Sequence, residues 1–191
     1  MKRNIFKTTL WIQIVLLYFL LITTTIWAEE RNWSLELLEV NAESSNRDIC
    51  DLKFEIVRIS RGIFAMNGFV DFKIDVDDNA LFEGFLYRSS TVRNEFRKLS
   101  MEMCNETLTE TVNTFYKTYL MNDIQECATN MPYLEKEFVA PLTKRYVEIR
   151  NCTISNDSLP SHMAEGLYRL LIKVHGSIEV VFEVYFRIEE D

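Results

Sequence analysis

The side chains best suited to acid–base or nucleophilic chemistry are few in this sequence. It contains two histidines, His162 after a Pro-Ser pair and His175 before a glycine. Neither lies in a nucleophile motif such as G-x-S-x-G. A serine or cysteine nucleophile needs a base, usually histidine, within hydrogen-bonding reach. We therefore interpret both histidines as loop residues and predict a protein that is not an enzyme and uses no cofactor.

A group of aspartates offers a second kind of chemistry. Asp75, Asp77 and Asp78 lie close together in the chain and could bind calcium or form a hydrolytic carboxylate pair. The segment lacks the central glycine and the terminal glutamate of an EF-hand loop. We interpret it as a solvated turn between two strands, and the sequence predicts no metal site.

The N-terminus has the three parts of a secretory signal peptide. Three basic residues within the first seven precede an apolar run over residues 10–22, and a polar stretch begins at Glu29. The apolar run has 13 residues, fewer than the ~20 of a membrane-spanning helix. The alternative is an uncleaved anchor, because residues 8–28 are all uncharged. We predict a signal peptide over residues 1–28 and one secreted, extracellular domain over residues 29–191, with no stable membrane span after cleavage.

Charge and glycosylation motifs describe the remaining chain. Without the three basic residues of the signal it has 18 basic and 29 acidic residues, a net charge of −11. Such a chain repels phosphate, so we expect no nucleic-acid partner and no affinity for anionic membranes. N-x-[ST] motifs agree with export. We expect two or three occupied sites, the one beside Cys152 being less accessible; the four asparagines are Asn32, Asn105, Asn151 and Asn156.

The four cysteines, Cys50, Cys104, Cys127 and Cys152, lack C-x-x-C metal spacing. In an exported chain an even number indicates two disulfides, and four cysteines allow three connectivities. We predict a Cys104–Cys127 disulfide, which would bracket a helix. By elimination, Cys50 would pair with Cys152.

Alternation of apolar and polar residues dominates the chain. Every second residue from Ile178 to Ile188 is apolar, and a similar run precedes the turn-like His175-Gly176-Ser177. This pattern predicts a C-terminal β-hairpin. Further strands are predicted at residues 33–40, 52–56, 70–76, 81–87 and 145–153. About seven strands with short connections predict a mostly β fold, an antiparallel two-sheet sandwich.

One segment has helical spacing instead. Thr107 and Glu110 match a capping box. Leu108, Val112, Phe115 and Tyr119 follow at intervals that place them on one helical face. The sequence therefore predicts a helix over residues 107–121.

Aromatic residues supply the candidate binding surface. Eleven phenylalanines lie outside the predicted signal. They could fill the interior of a sandwich or line a lipid-sized cavity, and periodicity does not distinguish the two. The candidates for a cavity wall, taken from strand and helix phase, are Phe72, Phe85, Phe115, Tyr119, Phe182 and Phe186.

The order of motifs resembles the insect chemosensory A/B-type proteins. These are related to the lipid-recognition group that includes the ganglioside activator protein. The resemblance extends over nearly all of residues 29–191. The matching stretches are residues 58–68, 69–76, 85–90, 126–132, 146–153, 159–160 and 165–169.

This resemblance implies a cup of two antiparallel sheets with the helix near its mouth, and Phe115 and Tyr119 facing the ligand or the sheet behind. It also implies a hydrophobic small molecule or lipid as ligand, of pheromone type, and a chemosensory receptor as a further partner. The alternative is a solid sandwich that binds a protein receptor without an internal ligand. Its candidate contact patch is Arg88, Arg93, Arg97 and Lys98.

Overall fold

The computed structural model describes residues 33–90, 95–155, 159 and 162–190. The predicted signal peptide over residues 1–28, together with Asn32, Arg93 and Asn156, lies outside the described residues. Within the described residues, no helix is long and apolar enough to span a membrane.

Nine strands within these ranges form two antiparallel sheets. Sheet A has the order β1-β9-β8-β4-β5 and sheet B the order β2-β3-β7-β6. The strands are β1 (Trp33–Ser44), β2 (Cys50–Ser60), β3 (Ile63–Phe72), β4 (Leu81–Ser89), β5 (Arg97–Thr107), β6 (Ala128–Thr129), β7 (Arg145–Cys152), β8 (Gly166–His175) and β9 (Val180–Glu190). The predicted mostly β, two-sheet fold is confirmed, and β5 and β6 are strands that the sequence did not predict.

The alternating residues of the C-terminal hairpin occupy the faces that their period predicts. Val184, Phe186 and Ile188 are buried, whereas Val181, which has the opposite phase, is exposed on the outer face. Side chains alternate across a strand, so one face of β9 enters the interior of the sandwich. β8 and β9 pair from Val174 and Val180 onward, as expected for a hairpin.

The single helix of the described chain, α1, begins at Leu108 and ends at Gln125. The predicted capping box is present: Thr107 Oγ1 accepts from the Glu110 amide at 3.2 Å, and the Glu110 carboxylate accepts from the Thr107 amide at 2.9 Å. The first turn is α-helical, Val112–Leu120 is a π-helix, and Met121–Gln125 is α-helical again. The helix is therefore longer than predicted and wider in its middle.

The two sheets meet at one side and are separated at the other. β1, an edge of sheet A, packs against β2, an edge of sheet B. At the opposite edges, the first turn of α1 contacts β4 and β5, while its last turn contacts β6 and β7. Since α1 reaches from one sheet to the other, it closes the side that the strands leave open.

The aspartates form the turn that was predicted, and each carboxylate is used. Asp75 accepts from the Lys144 amide at 2.7 Å, and Asp77 accepts from the Asn79 amide at 3.1 Å. Asp78 accepts from the Thr109 amide at 2.8 Å and from its hydroxyl at 3.0 Å, which fixes the start of α1. No cluster of three or more potential metal ligands occurs in the described part of the chain.

The predicted disulfide pairing is wrong. Cys127 is bonded to Cys152, with Cα atoms 5.3 Å apart, while Cys50 is buried and Cys104 exposed, both as free thiols. Cys104 precedes α1 and Cys127 follows it, and a helix of 18 residues separates its ends by roughly 20–27 Å. That exceeds the ~7 Å limit on the Cα separation in a disulfide.

The observed bond fastens the end of α1 to β7. It closes a loop of 25 residues, which corresponds to about 3.5 kcal/mol of stabilisation in the chain-entropy treatment. The disulfide therefore does not bracket α1 as predicted, but fastens its C-terminal end to sheet B.

We expect the two free thiols to differ sharply in reactivity. Burial, with a smaller contribution from Asp51 and Asp71, raises the pKa of the Cys50 thiol to about 11. At pH 8 only about one in a thousand Cys50 side chains is then a thiolate, the form that reacts with alkylating agents.

Iodoacetamide at pH 8 should therefore label Cys104 and spare Cys50 in the folded protein, as measured by peptide mass spectrometry. The same digest, unreduced, should contain a Cys127–Cys152 linked peptide. Labelling after unfolding in guanidinium is the control and should reach both thiols. Equal labelling of the two in the folded state would contradict the burial of Cys50.

Candidate ligand cavity

A cavity of about 580 Å³ lies between the two sheets. Its wall is assembled from both sheets, from α1 and from the segment after β7. Sheet A contributes Leu35, Gly84, Phe85, Leu86, Met101, Glu102, Met103, Glu106, Leu170, Ile172, Phe182, Val184 and Phe186; sheet B contributes Phe54, Met66, Ile149 and Cys152. The helix contributes Thr114, Phe115, Thr118, Tyr119, Leu120, Asp123 and Ile124, and the segment after β7 contributes Thr153, Ile154, Leu159 and Met163.

Five of the six aromatic candidates lie on this wall. Phe182 and Phe186 come from β9, and Phe115 and Tyr119 from α1. Phe85 of β4 borders the cavity, but its ring points to the outer face of sheet A, where it packs against Lys98. The Phe115 and Tyr119 rings contact each other, with centroids 5.6 Å apart. That these rings bind a ligand stays a prediction.

Phe72 is the exception, and it does not line the cavity. It is the last residue of β3 and packs in the cluster around Cys50, Val76 and Leu108. The wall takes Met66 from β3 instead. Met66 and Phe72 are six residues apart, which is about 20 Å along the strand. Both point to the inner face of β3, but Met66 lines the cavity and Phe72 packs at the closed end of the sandwich.

The π-helical section sets which side chains of α1 face the cavity. Wall residues recur as Thr114 and Phe115, then 118–120, then Asp123 and Ile124, at intervals of four to five residues. A regular α-helix turns every 3.6 residues, whereas a π-helix bonds i to i+5 and has a wider turn. The Met121 amide indeed donates to the Tyr116 carbonyl, five residues back. The wider turn therefore brings the end of α1 back to the cavity.

The face of α1 opposite the cavity is also fixed. Asn113 Nδ2 donates to the Phe138 carbonyl, and Asn113 Oδ1 accepts from the Phe138 amide, both at 2.8 Å. The Tyr116 hydroxyl donates to the Pro132 carbonyl at 2.9 Å. Burial raises the pKa of Tyr116, so this phenol stays protonated and remains a donor. The segment after β6 thereby supports α1 from behind.

Two residues that the sequence did not single out shape the wall. Phe54 faces Phe182 across the interior, with ring centroids 5.2 Å apart and planes at 77°. Gly68 is its partner on β3, and a Cβ at Gly68 would lie 2.6 Å from Phe54 Cδ1. Only a glycine lets the Phe54 ring lie flat over the neighbouring strand. A glycine directly before the apolar residues Phe69 and Val70 was the signal available in the sequence.

The polar part of the wall is acidic. Its charged residues are Glu102, Glu106 and Asp123, and no basic residue contributes to the described wall. Glu106 accepts from the Thr114 hydroxyl at 3.3 Å, which links β5 to α1. Glu102, Thr114 and Thr118 are exposed. We place the mouth of the cavity between β5 and α1, because four of the five exposed wall residues belong to these elements, namely Met101, Glu102, Thr114 and Thr118; the fifth is Thr153.

The basic patch considered for receptor binding is engaged within the molecule. Arg88 donates to the Glu165 carbonyl at 2.7 Å. Lys98 forms an ion pair with Glu102 and lies 4.3 Å from the Phe85 ring centroid. Arg97 is exposed on β5. Two of the three described members are therefore partnered locally.

Two glycosylation motifs fall within the described residues. Asn105 and Asn151 are both exposed and have positive φ angles of 50° and 53°. The expectation that Asn151 is less accessible is wrong, because the chain turns there and exposes Asn151 while burying Cys152.

Comparison with known proteins does not assign the chain to a family. No family model matches it, and no curated protein is significantly similar. The resemblance to chemosensory proteins therefore stays a prediction.

Replacing Gly68, which lies against the wall residue Phe54, should destabilise the protein more than replacing Gly84, which lines the cavity itself. In Gly68→Ala the methyl group would meet both Phe54 and the Lys53 backbone carbonyl, which cannot move independently of the strand. In Gly84→Ala the nearest atom is Met103 Cε at 3.0 Å, the end of a flexible side chain. We expect a loss of about 1–3 kcal/mol for Gly68→Ala and less than about 1 kcal/mol for Gly84→Ala. Urea unfolding measures both, and equal losses would contradict this role of Gly68.

Proposed function

We propose that this chain is a secreted carrier that binds a hydrophobic small molecule or lipid, of pheromone type, in the cavity between its sheets. The observation that carries the proposal is the cavity itself, about 580 Å³ with a largely apolar wall. Ligand pockets have volumes of ~300–1,000 Å³ and are lined mainly by apolar and aromatic side chains. The interior of a two-sheet sandwich is normally filled by its own side chains.

The ligand size follows from the volume. A water molecule occupies ~30 Å³ in the liquid, and a methylene group is of similar size. The cavity of about 580 Å³ therefore holds about 20 such groups. A single acyl or alkyl chain, or a compact terpenoid, fits this space; a two-chain phospholipid would leave much of its length outside.

The charge of the wall restricts the polar end of the ligand. Glu106 stands at the mouth beside Thr114 and Thr118, whereas the Glu102 carboxylate is paired with Lys98. A carboxylate ligand placed ~5–6 Å from Glu106 would lose about 3 kcal/mol to repulsion at an effective dielectric constant near 20. The favoured ligand is a neutral or cationic amphiphile rather than a fatty-acid anion.

The carrier is better supported than the protein-binding alternative. A receptor-binding sandwich needs no internal space, and its candidate patch has Arg88 and Lys98 already engaged. Chemosensation as the setting, and a chemosensory receptor as a later partner, come from the resemblance and belong to the proposal.

Filling the cavity should abolish uptake of an apolar probe. Ile172 lines the cavity and pairs with Gly84 on the neighbouring strand of the same sheet. Ile172→Trp would therefore place an indole in the cavity. Val181 is 43% exposed on the outer face of β9, so Val181→Trp is the matched control. We expect Ile172→Trp to weaken binding of N-phenyl-1-naphthylamine at least tenfold and Val181→Trp to leave it unchanged, in a fluorescence titration with circular dichroism to check folding. Undiminished binding to a folded Ile172→Trp variant would show that the probe binds elsewhere.

The head-group preference can be tested with ligands of one chain length. Hexadecanol and hexadecylamine should displace the probe at least tenfold more effectively than hexadecanoate at pH 7.5, because repulsion of about 1.4 kcal/mol equals a factor of ten. Glu106→Gln removes a negative charge from the wall and should reduce the difference in displacement between hexadecanoate and the other two ligands. Glu135→Gln makes the same charge change on an exposed loop and should leave that difference unchanged. Equal displacement by the acid would overturn the preference without affecting the carrier proposal.

A further inference from the structure

A second concavity, of about 410 Å³, lies on the outer face of sheet B. Directly paired residues of an antiparallel sheet point to the same side. Leu52, Val70 and Val147 pair across β2, β3 and β7 and point inward, since Leu52 and Val147 are buried. The next row, Lys53, Phe69 and Glu148, must then face outward. We call this concavity the outer groove; Lys53, Glu55, Asn67, Phe69, Tyr146, Glu148, Arg150 and Asn151 line it.

The floor of the outer groove is an aromatic pair that the core does not use. Phe69 and Tyr146 stack with ring centroids 5.6 Å apart and planes at 21°. Tyr146 is 47% exposed. Stacked rings outside the core present an apolar, flat surface to solvent.

Asn151 lies at the edge of this groove and begins the motif Asn151-Cys152-Thr153. The β3–β7 pairing shifts register between Met66 and Gly68, opposite this asparagine. The Asn151 amide donates to Asn67 Oδ1 at 2.6 Å, so its backbone is held in place. Its φ of 53° is one that asparagine tolerates better than most residues. The acceptor side chain is thus exposed and positioned at the groove.

We propose that the outer groove holds the N-linked glycan of Asn151, with the first sugars lying on the Phe69–Tyr146 pair. The proposal rests on export of the chain and not on ligand binding, since the groove and the cavity lie on opposite faces of sheet B. In the attachment, Asn151 Nδ2 loses a proton and bonds to the anomeric carbon of a lipid-linked oligosaccharide. The lipid pyrophosphate is the leaving group, so the reaction needs no oxidant or reductant.

The chemistry of the groove matches the first sugars of such a glycan. A sugar ring has one face of C–H groups, which packs on an aromatic face, while its hydroxyls point to the sides. Lys53 supplies donors and Glu55 acceptors at the sides, together with the Arg150–Glu148 ion pair, whose atoms are 2.7 Å apart. A volume of about 410 Å³ equals that of about 14 water molecules at ~30 Å³ each, which is room for the first ring and part of the second.

A glycan in this position would cover the outer face of β7, a strand whose inner face forms part of the cavity wall. β7 carries Ile149 and Cys152 toward the cavity and Tyr146 and Arg150 toward the groove. A glycan lying across Phe69 and Tyr146 spans β3 and β7, and so reinforces the strand that receives the disulfide from α1.

The test compares glycan release at the two described sites. We would produce the secreted protein with a mannosidase inhibitor, so that all glycans are oligomannose, and digest it with endoglycosidase H. This enzyme cuts between the first two sugars, which the outer groove would shield. We expect release from native Asn151 to be at least tenfold slower than from the denatured protein, measured by site-specific mass spectrometry. Asn105, exposed and with a similar φ, should show no such difference.

Variants of the groove separate shielding by the aromatic pair from crowding. Tyr146→Ala should raise the native release rate at Asn151 at least several-fold and leave Asn105 unchanged. Phe115→Ala, in the cavity, is the control and should change neither. An unmodified Asn151 in a protein glycosylated at Asn105 would overturn the proposal while leaving export intact. Equal release rates for native and denatured Asn151 would overturn it as well.

Discussion

The separation of the two sheets on one side is the constraint from which the cavity, the helix and the disulfide take their roles. β1 and β2 bring the sheets together at one pair of edges. At the other pair, α1 stands between β5 and β6–β7, so the inner faces cannot close on each other. Emptiness of this size has a cost. An open cavity of about 580 Å³ leaves its apolar wall without the packing contacts that a filled sandwich core would supply. An apolar occupant removes most of that cost.

The helix can hold the sheets apart because it is fixed along its whole length. Asp78 and the capping box fix its start, and the bond between Cys127 and Cys152 fixes its end. Asn113 and Tyr116 fasten its outer face to the segment after β6. A π-helix of nine residues is uncommon, because such helices usually extend over a single turn and recur at functional sites. Here the surrounding contacts, rather than intrinsic propensity, stabilise it.

Local patterns in the sequence predicted most of the fold. Alternation located the C-terminal hairpin and its buried face, and the capping box located the start of α1, because these signals involve neighbouring residues. β5 was missed because Arg97, Lys98 and Glu102 obscure its alternation, as is common on an edge strand. The disulfide was mispaired because connectivity depends on how the chain folds at long range, which spacing does not determine.

The residues of the candidate site were likewise predicted where the signal is local and missed where it depends on strand pairing. Phase placed Phe182 and Phe186 on one face of β9, and both line the cavity. Strand phase also placed Phe72 on the inner face, which is correct. It does not give the position along the sandwich, and Phe72 packs at the closed end rather than in the cavity. Phe54 and Gly68 needed the β2–β3 register to be recognised as one unit. The wider turn of α1 had no evident signal, since the apolar spacing also fits an ordinary α-helix.

Native mass spectrometry of the protein, secreted from insect cells and purified without detergent, tests the central claim most directly. A carrier should appear with a discrete adduct of a few hundred daltons, and organic extraction should remove the adduct and yield a neutral or cationic amphiphile. The extracted protein should recover the adduct mass when that compound is returned. A mass equal to that of the glycosylated chain alone, together with no uptake of alcohols, amines or hydrocarbons, would contradict a ligand cavity.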